Sequence, residues 1–514
     1  MSRMTGREPS SPTGSYATVG SSSVSRQPAT PTTAARQPQE YTPEQFTQPF
    51  CDFMTQNPTP FHVVDYCKTK LRDAGFHELP SRESWADEIH PGGKYFTSRN
   101  GSALIAFSVG RAYKPGNGVA MIAGHIDANT AKLKPVGAKP VNEAGCIQLG
   151  VAPYASGLNP TWWDRDLGIA GRVVVRDPDT VGGKTTTRLV KLGWPVAKVA
   201  TVAAHLSNPA FFGDGNQETR MAPIIGLAGA YSAAERRPLG RPGDFVHGQP
   251  AELVQLVAGE LGISYTQIAN WDLELFDFQP AQVFGMRKEL ITAGRLDDKL
   301  CSWAAVMGLL TARHDGEDDG HVQLVSLFDD EEIGGKLRQG HGSTFLPTTV
   351  ERMVEALARS AKTPPPSYGP EILGQTYARS FLIASDVSHA GHPNFLDKYM
   401  EGHVPTLNTG LAIKHDPNGG FSTDAVSASV LMRVAELIGA TVQPYQARND
   451  VRAGGSIGPV LSSMMGCRAT DAGIVQLSMH SVRATTGALD PGLGALFYKG
   501  FLENWGKIDG EYAP

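Results

Sequence analysis

Apolar runs of strand length alternate along this chain with segments whose apolar residues recur at helical spacing. The clearest run is Val322 to Phe328 (VQLVSLF), which contains β-branched residues and has the length of a buried strand. Similar runs end at Gly124-His125, at Ser385-Asp386 and just before His480, and helical segments such as Ser422 to Ile438 separate them. This alternation predicts an α/β fold with a mostly parallel central sheet and flanking helices.

Changes in composition and in the hydrophobic pattern divide the chain into four stretches. Residues 1–39 are rich in Ser, Thr, Pro, Ala and Gly, so burial cannot offset the entropy lost on ordering them, and we predict a disordered tail. Residues 40–130 and 286–514 carry the strand and helix alternation of the α/β domain. In residues 131–285 short β-like runs alternate with Pro, Gly and Asn, which indicates an inserted β-rich domain. Two stretches within it have helical character: Pro250 to Leu261 and Tyr265 to Leu275.

The bulk properties exclude several classes of protein. The net charge of -5 over 514 residues gives no electrostatic footprint for nucleic acid. No apolar run reaches the roughly 18 residues that span a bilayer, so we expect no membrane insertion. The first residues have no apolar segment of the signal-peptide kind, so we expect synthesis in the cytoplasm. The five cysteines form no CxxC pair, which argues against a thiolate metal site and a disulfide framework.

Four consecutive acids, Asp329 to Glu332, follow the clearest strand and precede Gly334-Gly335. Like charges at the mouth of an apolar strand repel each other and cost desolvation. A solvated turn is one interpretation of this stretch. The other is a site in which cations offset the repulsion, with one glutamate binding metal while its neighbour moves a proton.

The other acids and histidines at strand ends favour the second interpretation. His125, Glu331-Glu332, Asp386 and His480 each follow an apolar strand, and Asp297 lies where a loop enters a helix. Sites in open α/β sheets gather at the carboxyl ends of strands. Two imidazoles and several carboxylates without a thiolate suit zinc, with cobalt or manganese as substitutes. A carboxylate shared by two metals roughly 3.5–4 Å apart makes a hydrolytic centre, in which a further carboxylate is the general base.

Five motifs in this order resemble those of the M18 aminopeptidases, the aspartyl aminopeptidase family: GHIDANTAKLKP, GRLDD, FDDEEIGG, SDVSHAGHPN and SMHSVR. The resemblance runs from about Asn57 to the C-terminus and is strongest to the fungal vacuolar aminopeptidase I branch. It implies a di-zinc peptidase core that removes the N-terminal residue of peptides.

The resemblance also implies roles by position. His125 and Asp386 would bind one of two zinc ions per subunit, Glu332 and His480 the other, and Asp297 would bridge both. Glu331 would be the general base. Asp127, which we place with the catalytic residues, would orient the His125 imidazole. Asp329 and Asp330 are interpreted as capping or solvated acids.

Further expectations concern substrate and assembly. The inserted domain resembles the family's dimerisation domain, and members form dimers that assemble into tetrahedral dodecamers. His205 matches the position from which a neighbouring subunit reaches the substrate. Lys414 matches a lysine that pairs an acidic substrate side chain. His389 flanks the Asp386 ligand and is a third candidate for substrate binding.

The sequence therefore predicts a zinc-dependent aminopeptidase acting on peptides with an N-terminal Leu-like, Asp or Glu residue. Two alternatives remain: another di-metal amidohydrolase such as a deacylase, and an inactive or dual-role assembly or autophagy cargo protein on the same fold. The resemblance favours the vacuole as the final compartment, with the cytoplasm as the alternative.

Overall fold

The computed structural model describes residues 41–177, 183–206, 216–360, 368–451 and 454–512. The predicted disordered tail, residues 1–39, lies outside the described residues. The α-helices are α1 (Thr47–Gln56), α2 (Pro60–Asp73), α3 (Gln217–Arg220), α4 (Ala251–Leu261), α5 (Leu296–Thr311), α6 (Phe345–Ser360), α7 (Pro370–Ala378), α8 (Ala425–Ile438), α9 (Gly458–Met465) and α10 (Asp490–Glu511).

The strands are β1 (His77–Glu78), β2 (Lys94–Arg99), β3 (Ala103–Val109), β4 (Val119–His125), β5 (Thr130–Ala138), β6 (Cys146–Tyr154), β7 (Leu167–Arg176), β8 (Thr185–Lys191), β9 (Ile224–Leu227), β10 (Ile268–Asp277), β11 (Gln282–Phe284), β12 (Leu290–Ala293), β13 (Val322–Phe328), β14 (Phe381–Ala384), β15 (Ser388–His389), β16 (Leu411–His415), β17 (Val442–Gln446), β18 (Arg468–Gly473), β19 (Val475–Gln476) and β20 (Ala484–Gly487).

A nine-stranded sheet with the order β1-β2-β3-β13-β4-β14-β18-β16-β17 forms the centre of the fold. Strands β13, β4, β14 and β18 run parallel to one another. Every residue of β4 and β13 is buried, as expected for strands covered by helices on both faces. The predicted α/β fold with a mostly parallel sheet is confirmed. Because β13 pairs with β4 so that Phe328 lies opposite His125, the acids after β13 emerge beside that imidazole.

Apolar side chains fill the space on both faces of this sheet. On one face α5 and α10 pack against each other, and the Trp505 ring lies 5.2 Å from the ring of Phe381 in β14. On the other face Val350 and Met353 of α6 are fully buried against the sheet. Burial of this extent fixes the strand ends, and with them the loops that follow.

A second, antiparallel sheet has the order β8-β7-β10-β5-β6-β9 and comes from the stretch predicted to be β-rich. The boundaries 131–285 and the dimerisation role of this stretch stay predictions. The helix predicted for Tyr265 to Leu275 was wrong, because only Tyr265–Gln267 forms a short 3-10 turn and β10 follows. Trp271, Leu273 and Leu275 alternate with polar residues, and this two-residue period suits a strand paired with β7.

The apolar run predicted as a strand just before His480 contains the two-residue strand β19, but this strand is not part of the central sheet. The central sheet takes β18, Arg468–Gly473, whereas β19 pairs with β15 outside it. The polar Thr470 and Asp471 inside β18 obscured this strand in the sequence, although both are fully buried. Among the described residues, no helix is both long enough and apolar enough to cross a bilayer.

Candidate metal centre

Three neighbouring strands deliver candidate ligands to one edge of the central sheet. His125 is the last residue of β4, and Asp386 follows the end of β14. After β13 the backbone turns sharply at Asp330, whose φ is 62°, into a 3-10 helix over Glu331–Ile333. This turn brings Glu331 Oε2 to 3.8 Å from His125 Nε2.

The first group of candidate ligands is buried. His125 Nε2 lies 3.3 Å from Asp297 Oδ1 and 3.7 Å from Asp386 Oδ1. One donor atom from each of these three side chains falls within 4.8 Å of the others. The His125 side chain is 1% exposed, so this half of the centre is enclosed by the fold.

The second group shares Asp297 with the first. His480 Nε2 lies 3.3 Å from Asp297 Oδ2 and 3.5 Å from Glu332 Oε2, and these side chains again meet within 4.8 Å. The two oxygens of Asp297 therefore face different histidines. The His480 side chain is 48% exposed, so this half of the centre opens to solvent.

The carboxylates of the centre repel one another strongly. Burial raises the pKa of Glu332 to about 10, and the nearby Asp297 charge acts in the same direction. Burial likewise raises the pKa of Glu331 to about 7, despite the nearby His125 imidazole. Burial acts against ionisation of His125 as well, but the Glu331 carboxylate and its neighbours hold the pKa of that imidazole well above its ordinary value.

These donors fit zinc. Imidazole nitrogens and carboxylate oxygens are zinc ligands, and two overlapping triads offer nitrogen and oxygen to each of two positions. Burial and the Asp297 carboxylate both oppose ionisation of Glu332, and compensating positive charge would offset this. Divalent cations would supply that charge.

Asp127 holds the glutamate loop to β4. Its Oδ1 accepts the backbone N–H of Glu331 and its Oδ2 that of Glu332, both at 3.1 Å. The same Oδ1 lies 3.3 Å from His125 Nδ1. The carboxylate thus touches the imidazole and both glutamates through one side chain.

Sequence reasoning missed the part played by Asp298. Its Oδ2 accepts the backbone N–H of His125 at 3.3 Å and its Oδ1 accepts that of Val387 at 3.1 Å. The Ser302 hydroxyl donates to the His125 carbonyl at 2.7 Å. Asp298 therefore fixes the ends of both β4 and β14. The second aspartate of GRLDD was the available signal.

The interpretation of Asp329 and Asp330 as capping or solvated acids was wrong, because both are buried. The Tyr154 hydroxyl lies 2.8 Å from Asp127 Oδ2 and 3.2 Å from Asp330 Oδ1, and Gln339 Nε2 donates to Asp330 Oδ2 at 2.6 Å. Tyr154 lies far away in sequence and Gln339 follows beyond the turn, so the four-residue acid pattern alone gave no sign of these partners.

The three candidates for substrate binding have different surroundings. Lys414 Nζ is buried and donates to Asp386 Oδ2 and to the Val387 carbonyl, both at 3.2 Å. Although burial opposes it, the Lys414 ammonium holds the pKa of Asp386 below its usual range. His389 is exposed, with its ring 5.8 Å from that of Tyr445. His205 is also exposed, in the 3-10 turn Ala204–Leu206.

The chain has clear relatives among known proteins. Residues 53–502 match the profile of the family described as Aminopeptidase I zinc metalloprotease (M18). Vacuolar aminopeptidase 1 of Saccharomyces cerevisiae is 36% identical over 479 residues, 92% of this chain and 91% of that protein. Aspartyl aminopeptidase of Aspergillus oryzae is 35% identical over 486 residues, 89% of this chain and 95% of that one.

Solved structures give the same result. The structure of Chaetomium thermophilum mApe1 is 56% identical, covers 92% of this chain and 100% of its own, and superposes with a TM-score of 0.84. The Saccharomyces mApe1 dodecamer is 34% identical, covers 91% of this chain and 99% of its own, and has a TM-score of 0.79.

Proposed function

Since this chain belongs to the M18 family of zinc aminopeptidases, we propose that it is a two-zinc enzyme that removes Leu-like, Asp or Glu residues from the N-terminus of peptides. The observation that carries the proposal is the pair of overlapping ligand triads sharing Asp297. His125 and Asp386 would hold one zinc, Glu332 and His480 would hold the other, and Asp297 would be shared by both positions. An intact set of ligands favours an active enzyme over an inactive assembly protein.

Each remaining side chain has a defined task. When bound, zinc supplies Lewis acidity that lowers the pKa of water and polarises a carbonyl group. Glu331 Oε2, 3.8 Å from His125 Nε2, accepts a proton from the attacking water and passes it to the amine that leaves as the peptide C–N bond breaks. Asp127 orients the His125 ring and holds both glutamates by their backbone.

Lys414 sets the charge beside the position of the substrate side chain. Its ammonium is buried against Asp386 and already donates one hydrogen bond to that carboxylate. The remaining positive charge favours an acidic residue, whereas the apolar strand β16 around it favours a neutral one. His389, exposed beside the same ligand loop, contacts the substrate from the solvent side.

The relatives support assembly and a compartment. The Saccharomyces mApe1 dodecamer supports a homo-oligomer built from dimers, with a tetrahedral dodecamer as the final form. His205, exposed in the 3-10 turn Ala204–Leu206, reaches the substrate of a neighbouring subunit. The name of the Saccharomyces relative supports the vacuole as the final compartment, with the cytoplasm as the alternative.

The test is hydrolysis of chromogenic Leu, Asp, Glu and Lys substrates, with zinc counted by mass spectrometry on the same preparation. We expect about two zinc ions per chain, loss of activity with a chelator, and recovery with added zinc. His125→Ala and His480→Ala should each lower the zinc content. Full activity after complete zinc removal, or unchanged zinc in both variants, would refute the two-zinc assignment.

A further inference from the structure

His480 is the least supported of the candidate ligands. Its backbone has a φ of 63°, which residues other than glycine rarely adopt, and its side chain is half exposed. His125, by contrast, ends a buried strand that is hydrogen-bonded on both sides. Something outside the loop must therefore hold His480 in place.

The contacts come from residues 156–162, the bracing segment, which follows β6 of the second sheet. Asn159 Nδ2 donates to the carbonyl of His480 at 2.7 Å. Two residues further along, the Thr161 hydroxyl oxygen accepts the backbone N–H of Val482 at 2.8 Å. The bracing segment is thus hydrogen-bonded to the loop that carries His480 on both sides of Ser481.

The bracing segment itself is rigid at this point. Asn159 Oδ1 accepts the backbone N–H of Thr161 at 3.0 Å and its hydroxyl at 2.6 Å, which caps the 3-10 turn Pro160–Trp162. Trp162 is buried in the core of the second sheet. The hydrogen bonds to Thr161 and the buried Trp162 therefore fix the position of the Asn159 amide that donates to His480.

The same segment reaches the other ligand of the second zinc. With its amide nitrogen facing Glu332, Asn129 donates to both carboxylate oxygens of that residue, at 2.9 and 3.2 Å. The oxygen of the Asn129 amide then accepts the Ser156 hydroxyl at 2.6 Å. His480 is thus hydrogen-bonded to residues 156–162 directly, and Glu332 is connected to them through Asn129.

We propose that Asn159 is a positioning residue for the second zinc: it holds the His480 backbone in its left-handed conformation and so aims the imidazole at Asp297 and Glu332. The inference rests on the proposed two-zinc function and adds a dependence of the second zinc on the bracing segment. Within the described residues, the hydrogen bonds and ion pairs of His125 and Asp386 come from other parts of the chain, including Asp127, which Tyr154 of β6 contacts.

Asn159→Asp removes the donor. The aspartate keeps the Oδ1 atom that caps Thr161 and lacks the amide hydrogens that reach the carbonyls of His480 and Ser156. Asn142→Asp is the matched control, because Asn142 lies in the same stretch, makes the same kind of turn contact with Cys146 N, and donates to Gln148 instead of a ligand loop. Thr161→Val removes the acceptor for Val482 N without changing the charge.

The measurement is calorimetric titration of zinc chloride into the zinc-free chain. The wild type and Asn142→Asp should bind two ions. In Asn159→Asp the second ion should bind roughly 10–100-fold more weakly while the first keeps its affinity, as is usual when a partner of a metal ligand is lost. Thr161→Val should shift the same step in the same direction. Excess zinc should restore kcat in both variants, and the melting temperature of the zinc-free chains should match the wild type.

Three results would overturn the inference. Wild-type affinity for both ions in Asn159→Asp and Thr161→Val would remove the bracing role, as would equal weakening of both ions. An equal effect of Asn142→Asp would mean that any such change in this stretch disturbs the fold. If Asn159→Asp does not fold, Thr161→Val decides. Failure of the proposed function is seen separately, because the wild type itself would then bind fewer than two ions.

Discussion

At the residue scale, two adjacent glutamates with the same chemistry are separated by geometry. Asp127 binds the backbone of both, yet the Glu331 carboxylate faces His125 at 3.8 Å while that of Glu332 faces His480 at 3.5 Å. Glu332 completes a triad of candidate ligands, whereas Glu331 belongs to neither triad. A carboxylate beside the ligands that is not itself one of them is placed to move protons.

The two glutamine variants separate these roles. Glu331→Gln should keep its zinc and its melting temperature while kcat falls roughly 10²–10⁴-fold, because the amide cannot accept the proton. Glu332→Gln should instead lose zinc, because an amide is a poor ligand. Zinc content and kcat measured on both variants check this. Zinc loss in Glu331→Gln with zinc retained in Glu332→Gln would reverse the assignment.

Lys414 allows a second test at this scale. Its ammonium is bound to Asp386, so Lys414→Met should weaken zinc binding and lower the activity on every substrate to some extent. Acidic substrates should lose more, because their carboxylate is left without a cation in a desolvated site; the extra loss should be on the order of 2 kcal/mol, about 30-fold in kcat/KM. Leu and Asp substrates compared at saturating zinc give the ratio. An equal loss on both would remove Lys414 as a specificity residue.

At the element scale, the sequence predicted the strands that end in ligands because their patterns are unambiguous. Phe381–Ala384 is uniformly apolar and Val322–Phe328 is apolar at all but Gln323 and Ser326, since helices cover both faces of the sheet. β18 was misplaced, because buried Thr470 and Asp471 break its apolar pattern; the Asp471 carboxylate is hydrogen-bonded by Ser422, which lies far away in sequence. Asp298 and Tyr154 escaped prediction for the same reason: their contacts span more than a hundred residues or join different sheets.

The contact between β3 and the loop before β13 makes stability depend on pH. His314 Nδ1 is hydrogen-bonded to the Ser108 hydroxyl at 2.7 Å, and its ring lies 5.0 Å from that of His321. Burial lowers the pKa of His314 from 6.5 to about 3, and His321 and Lys94 act in the same direction. The unfolded chain therefore binds this proton more readily. The stability that neutral His314 contributes is complete above pH 6.5 and is lost as the pH falls towards about 3.

His314→Gln should flatten this dependence. Below pH 6.5 the free energy of unfolding of the wild type should fall more steeply than that of the variant, by at most about 1.4 kcal/mol per pH unit for the one proton. Urea unfolding of the zinc-free chains at several pH values measures both slopes. His77→Gln is the control for the loss of an imidazole at an exposed position, because the His77 side chain is 65% exposed. Parallel curves for wild type and His314→Gln would contradict the prediction.

At the scale of the whole molecule, the site has contributions from both sheets. The strand ends of the central sheet supply His125 and Asp386, the start of α5 supplies Asp297, and the second sheet supplies Tyr154 against Asp127 and the bracing segment against His480. A stretch interrupting the catalytic fold thus has a part in the site of its own chain. In the proposed dimer the same stretch has a second role, because its exposed His205 is available to a neighbouring subunit.

Complementation between two inactive variants tests whether His205 completes the active site of a neighbouring subunit. His205→Ala should form the oligomer and bind zinc but lose activity, because its neighbours offer no imidazole, and Glu331→Gln should be inactive because it lacks the base. When the two are co-expressed, a chain with an intact base can receive His205 from a neighbour of the other kind. In a randomly mixed dimer about one quarter of the sites should then be complete, so roughly a quarter of wild-type activity should return.

Light scattering on the same samples should show particles far larger than a monomer. Activity in His205→Ala alone, no recovery in the mixed oligomer, or a monomer at physiological salt would each exclude a site completed by the neighbouring subunit.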